Sequence, residues 1–197
     1  VTTPTDRLVQ VTFVVGTPVF VNVHVRQLGR FIGDKRFTIN RERSNRPRLE
    51  QNEDKIRAND RGGAIAEVAF AGALNVYPML QFEKYFDYNL RLPGGDLIAV
   101  SWDEVEGRCI VDRQREEHHR RKRNDPPDLH IVLRGELPSE DADDGRNHAL
   151  FFAGWATHDE VIACTPEPMR YGPAHVRRDL HPRLQIFCAA RGAGWCG

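Results

Sequence analysis

The sequence predicts an α/β domain of mixed α+β type, and three observations carry the prediction. Two helical patterns lie before Leu74, about five strand-like runs lie between Phe86 and Trp155, and turn residues such as Pro93-Gly94-Gly95 punctuate them. Helices gathered ahead of a strand run pack onto one sheet rather than alternating with its strands. At 197 residues the chain has the length of one ordinary domain with one apolar core.

The elements follow in order. Thr12 to Val25, TFVVGTPVFVNVHV, is rich in β-branched residues and broken at Gly16-Thr17-Pro18. It is either a hairpin or a strand leading into a helix, so residues 1–25 form an N-terminal strand or arm. From Arg26 to Arg43, the positions of Leu28, Phe31, Ile32, Phe37 and Ile39 suit an amphipathic helix with Arg26, Arg30, Lys35, Arg36, Arg41 and Arg43 outside. Arg43 to Asn59 is polar, carries Pro47 and predicts a long surface loop. Gly62 to Leu74, GGAIAEVAFAGAL, predicts a clear helix with Asp60 as its N-cap. Its apolar face is Ile65, Val68, Ala69 and Leu74, and its many small residues permit close packing on a sheet. Glu67 interrupts this helix, and a carboxylate in such a place is turned to solvent or paired, because burying it alone is costly.

Phe86 to Trp102, FDYNLRLPGGDLIAVSW, predicts two strands meeting at a tight turn. Tyr88, Leu90 and Leu92 alternate with Asp87, Asn89 and Arg91, whereas Leu97 to Trp102 is apolar enough to be buried on both faces. Arg108 to Val111, after a turn at Val105-Glu106-Gly107, Leu129 to Leu133 and Ala149 to Trp155 supply the remaining strands. Pro138 to Asn147 is an acidic loop, and Thr157-His158-Asp159-Glu160 is a capping box opening a short helix through Ala163. From Pro166 onward, prolines at 166, 168, 173 and 182 and little periodicity predict irregular chain, with residues 176–197 as a tail laid over a core of residues 26–175.

Lys+Arg and Asp+Glu balance at 28 each, so only local clustering points to a partner. No run reaches the ~20 apolar residues of a membrane span, and there is no basic n-region followed by an apolar h-region. Cys109, Cys164, Cys188 and Cys196 stand singly, with no CxxC pair. These features lead to the expectation of an intracellular, cytoplasmic protein with free thiols and no membrane association.

The phrases AIAEVAFAGAL, DYNLRLPGGDLIAVSW, GRCIVDRQR, PPDLHIVLRGE and FAGWATHDEVIA, in this order from Arg26 to Ala174, resemble the small phage-type nucleases of the PD-(D/E)xK superfamily. The resemblance implies a restriction-endonuclease-like core, a central mixed sheet of about five strands flanked by helices, binding DNA and cutting it with Mg²⁺. In that family a helix Glu, a strand Asp and an acidic-x-Lys triplet surround the metal, which acidifies the attacking water and stabilises charge on the phosphate. Glu67 matches the helix Glu, but Asn89 falls on the Asp position and Ala99 and Ser101 on the triplet. Asn offers only a neutral carbonyl oxygen, Ala offers no ligand, and Ser carries no positive charge.

The candidates that follow from the resemblance are Glu67, Asp87 and Asn89 as catalytic residues, with Glu67 and Asp87 as Mg²⁺ ligands. A migrated site draws on Asp87, on the same strand face as Asn89, or on Asp96, Lys84, Arg91 or Asp103; the plainer reading of Asp87 and Asp96 is as solvent-facing strand-end and turn acids. Two functions remain: a metal-dependent DNA endonuclease, or a catalytically inactive nuclease-fold module binding DNA or a protein partner. The nucleic-acid contacts would come from RQREEHHRRKR, that is Arg113, Arg115, Arg120, Arg121, Lys122 and Arg123. Glu116 and Glu117 at helical spacing from Arg120 and Arg121 make a solvated, internally paired segment an equal reading. His118, His119, His130, His175 and His181 lack zinc-site spacing and read as surface residues. Trp102, Trp155, Phe151 and Phe152 read as core.

Overall fold

The computed structural model describes residues 8–43, 53–78, 90–112, 126–137, 148–169 and 172–189. Along them run β1 (Leu8–Val14), β2 (Pro18–Val21), α1 (Val23–Arg43), α2 (Glu53–Leu74), β3 (Leu90–Arg91), β4 (Leu97–Asp103), β5 (Cys109–Asp112) and β6 (Leu129–Arg134). Then follow β7 (His148–Thr157), α3 (His158–Ile162), β8 (Pro166–Met169), β9 (Gly172–Arg177) and β10 (Arg183–Ala189). A five-stranded sheet has the order β2-β7-β6-β4-β3. It is mixed: β4 and β6 run parallel while the other neighbours are antiparallel. Two small sheets, β5-β9-β8 and β1-β10, complete the mixed α+β architecture that the sequence predicts.

One face of the large sheet is covered by α2. Ile65, Ala66, Ala69 and Phe70 pack with Ile98, Val100, Ile131, Leu133, Leu150 and Phe152 in the main core. Three glycines bring these layers together. A Cβ on Gly62 would stand 2.4 Å from the Trp102 ring, and Cβ atoms on Gly29 and Gly33 of α1 would stand 2.6 and 2.5 Å from the backbone of α2 at Ile65 and Arg61. The opposite face meets α3 and β5 through a smaller cluster of Cys109, Val111, Val132, Ala156 and Val161. The β1-β10 ribbon turns Phe13, Leu184, Ile186 and Cys188 into the main core.

Several expectations hold. The basic helix is α1, the turn at Pro93-Gly94-Gly95 joins antiparallel β3 and β4 with Gly95 at φ +101°, and α3 carries the capping box at Thr157 and Glu160. Cys109, Cys164 and Cys188 are free thiols; Cys196 lies outside the described residues. No helix among the described residues is long and apolar enough to cross a membrane.

Of the two readings for Thr12 to Val25, the strand leading into a helix holds, since β2 runs directly into α1. The hairpin does not: the chain turns at Gly16, φ +89°, and β1 and β2 join different sheets, β1 pairing with β10 and β2 with β7. Other expectations are corrected. Residues 53–59 are helix rather than loop, which puts Asp60 inside α2 instead of at its N-cap. Charge pairing with α1 supports this polar half: Arg41 lies 3.2 Å from Glu53, and Arg57 and Arg61 lie 3.6 and 2.8 Å from Asp34. Arg26 is not outside but 2% exposed, on the same helical face as Gly29 and Gly33. The stretch expected to be an irregular tail contributes β8, β9 and β10. Its prolines mislead because Pro166 and Pro168 sit on the edge strand β8, where a missing N–H costs little, Pro173 stands opposite Pro168 beyond the part of β9 that pairs with β5, and Pro182 precedes β10. Phe151 is exposed rather than core, while His130 and His175 are buried rather than at the surface.

Candidate functional site

The site expected from the sequence centres on Glu67. It lies on α2 and is buried, and its Oε1 accepts a hydrogen bond from Arg36 Nη1 of α1 at 2.6 Å. The two side chains are 9% and 24% exposed, so the ion pair is closed off between the helices. A guanidinium therefore occupies the position beside this carboxylate that a cation would take. This arrangement does not fit a Mg²⁺ site built on Glu67.

The geometry of β4 separates Ala99 and Ser101 from that helix. Ile98, Val100 and Trp102 face α2: the first two belong to the main core, and the Trp102 ring lies against Gly62. Strand alternation then turns Ala99 and Ser101 to the opposite face. There Ser101 Oγ donates to the Ile131 carbonyl at 3.3 Å. Ala99 and Ser101 thus lie across the sheet from Glu67.

Asp87, Asn89 and Lys84 lie outside the described residues, as do Arg113, Arg115, Arg120, Arg121, Lys122 and Arg123 together with His118 and His119. Arg91 and Asp96 are exposed at the β3–β4 turn. Asp103 is engaged in the next turn, its carboxylate accepting the backbone N–H groups of Val105, Glu106 and Arg108 at 3.2, 3.2 and 3.0 Å. Burial opposes the ionisation of Asp103, but these donors outweigh it and hold the carboxyl below its ordinary range. Among the described residues, no three His, Cys, Asp or Glu side chains gather as a metal-binding group.

A second concentration of ionisable groups surrounds α3. Thr157 Oγ1 accepts the Glu160 N–H at 3.3 Å, and Glu160 Oε2 accepts the Thr157 N–H at 2.8 Å. The other oxygen, Oε1, lies 2.8 Å from His181 Nε2 and 3.4 Å from Arg177 Nη2. The Thr157 N–H, and then His181, draw the Glu160 carboxyl down to about 2. His181 in turn lies against Trp155, with ring centroids 4.6 Å apart. Deeper in, His130 Nε2 of β6 meets His158 Nδ1 of α3 at 3.0 Å, and both rings are buried. Burial, and then the neighbouring His158, push the His130 imidazole down to about 3.

The chemistry of this second cluster is structural. Burial and the nearby Cys164 push the Cys109 thiol up to about 12, so it is protonated and unreactive. His175 holds the Cys164 carbonyl through Nδ1 at 2.7 Å, and Glu160 is occupied as cap and ion-pair partner. Sequence reasoning found the capping box because its residues are adjacent. It missed the His130–His158 contact because the two residues are 28 positions apart and meet only when α3 folds back beside β6. No family model, curated protein or solved structure matches this chain.

Proposed function

We propose that this chain is a catalytically silent, DNA-binding module similar in plan to the PD-(D/E)xK nucleases, with a restriction-endonuclease-like core. The observation that carries the silence is the Arg36–Glu67 ion pair at 2.6 Å, which neutralises the helix carboxylate that the family uses for metal. Ala99 and Ser101 support it, since neither supplies a ligand or a cation. DNA binding rests on the run from Arg113 to Arg123, which follows directly after β5. Arg36 and Arg41 of α1 and Arg57 and Arg61 of α2 add little to such a footprint, because each is paired with a carboxylate. A protein-binding module is the second reading, favoured by Phe20 on the edge strand β2, 67% exposed, and Phe151 beside it on β7.

Two measurements on the full chain test the proposal. Fluorescence anisotropy with a labelled duplex is expected to show affinity falling on the order of 10³-fold between 50 and 200 mM salt if about six phosphates are neutralised. Replacing Arg120, Arg121, Lys122 and Arg123 together by Gln is expected to flatten that slope. Supercoiled plasmid with Mg²⁺ or Mn²⁺ is expected to stay intact. Metal-dependent nicking that Glu67→Gln abolishes would overturn the silent reading and restore an endonuclease with Mg²⁺ on Glu67 and Asp87. Absence of duplex binding would overturn the nucleic-acid reading and leave the protein partner.

A further inference from the structure

A strand at the edge of a sheet presents backbone N–H and C=O groups that can pair with another chain, and proteins guard such edges with proline, charge or short length. Most sheet edges here are guarded in this way. β8 carries Pro166 and Pro168, β3 has two residues with Arg91 exposed, β5 has four residues, and β2 has four and begins at Pro18. β10 begins at Arg183, whose carbonyl already accepts the Trp155 indole N–H at 2.9 Å. β1 has none of these guards. Its seven residues, LVQVTFV, hold no proline, glycine or charge, although in a chain that is 28% charged a segment of that length would hold about two charges.

The turn after β1 fixes which of its backbone groups face outward. The Val15 N–H donates to the Pro182 carbonyl at 2.9 Å, on the side of β10. Val14 instead bonds to the turn: its N–H donates to Thr17 Oγ1 at 3.0 Å, and its carbonyl accepts the Thr17 N–H at 2.8 Å. Antiparallel alternation then assigns the groups of Val9, Val11 and Phe13 to β10 and points those of Leu8, Gln10 and Thr12 to the opposite edge. Among the described residues no strand lies on that side of β1, and all three side chains are exposed.

We propose that β1 is a dimerisation edge, pairing antiparallel with β1 of a second copy of this chain about a twofold axis at Gln10. The outward groups set this register. With Gln10 opposite the partner's Gln10, Leu8 stands opposite the partner's Thr12, and every outward N–H and C=O of Leu8, Gln10 and Thr12 finds a partner. A slip by two residues would set Leu8 against the partner's Val14, whose groups are held by Thr17. Charge selects a second copy as the occupant. A strand meeting itself brings like side chains close together, which only a neutral strand tolerates, and the chain as a whole has a formal net charge of +0, so two copies do not repel. A neutral edge also offers a foreign peptide no charge to recognise. Because β10 fills the other side of β1, the pairing closes at two copies and joins the two ribbons into one four-stranded sheet, β10-β1-β1-β10.

Sedimentation equilibrium of the full chain reads the mass directly. It is expected to climb with concentration from 22.5 kDa toward twice that value, in the micromolar range of a small interface. Gln10→Pro removes an N–H that points away from β10, so the ribbon is kept while the shared edge is blocked, and this variant is expected to remain at 22.5 kDa. Gln10→Lys and Gln10→Glu change an exposed side chain only and serve should the proline variant fail to fold. Each sets like charges opposite one another at the axis and is expected to weaken association several-fold, while an equal mixture of the two restores it. A mass of 22.5 kDa at every concentration up to about 100 μM would overturn the proposal. So would a dimer that survives Gln10→Pro, with loss in Phe20→Lys moving the contact to β2. Failure of the mixture to recover would overturn the axis at Gln10, and growth beyond two copies would overturn the closed pair.

Discussion

Gly62 and Gly63 are neighbours on α2, yet the same substitution is expected to act on them with opposite sign. In an open helical position, Gly→Ala stabilises by about 0.5–1 kcal/mol, because Ala loses less backbone freedom on folding. Gly63 is such a position, with nothing within 4 Å of a Cβ built on it. On Gly62 the new methyl would stand 2.4 Å from both Cε3 and Cζ3 of Trp102 and 3.1 Å from Cη2. Ordinary contact begins near 3.4 Å, so the helix or the ring must move by a large fraction of an ångström. The ring cannot move freely, since its Nε1 donates to the Gly135 carbonyl at 2.8 Å. Overpacking of this kind costs about 1–3 kcal/mol, and loss of the indole bond adds about 1 kcal/mol. After the helical gain is subtracted, Gly62→Ala is expected to destabilise by about 1–3 kcal/mol while Gly63→Ala stabilises. Urea unfolding followed by helical circular dichroism measures both. A shift of both variants in the same direction would refute the close seating of α2 on β4, and with it the assignment of Ala99 and Ser101 to the face away from Glu67.

The remaining predictions concern the ion pair and the cap. Arg36→Gln leaves the carboxylate of Glu67 buried without its guanidinium and is expected to cost about 2–4 kcal/mol, whereas Glu67→Gln leaves a quarter-exposed Arg36 that can turn to water and costs about 1 kcal/mol; the reverse order in urea unfolding would contradict the closed pair. Thr157→Ala is expected to lose about 1 kcal/mol and Thr157→Ser little, a difference of about 2–4 °C in melting temperature, and coincident melts would argue against the capping box. The Glu160 carboxyl, followed by carbon NMR, is expected to titrate near about 2 instead of its ordinary 4.5. Because the folded value is the lower one, the stabilisation is complete above the ordinary value and disappears as pH falls toward the folded value. A midpoint at the ordinary value would show that the links to Thr157 and His181 do not form in solution.

Local chemistry made some of this structure legible, and pairing between distant residues hid the rest. The turn at Gly94-Gly95 and the box at Thr157 are complete within a few residues, so their patterns are self-sufficient. The first half of α2 is not, because Asp34 and Arg41 of α1 bind its Arg57, Arg61 and Glu53 across the helix pair. β8 and β9 escaped notice for a related reason: proline argues against a strand only where its N–H is needed, and Pro166 and Pro168 lie on an edge strand while Pro173 lies beyond the residues of β9 that pair with β5. The presumed site shows the same limit. That Glu67 would be turned to solvent or paired follows from the cost of burying a carboxylate, but Arg36 as its partner is a fact of tertiary structure. Likewise Leu97 to Trp102 is apolar on both sides, so alternation alone could not say which face meets α2. The bare glycine at 62 decides it by admitting the Trp102 ring, and that choice puts Ala99 beside His130 and Ser101 beside Val132, on the face of the sheet that meets α3 and β5 rather than the face of Glu67.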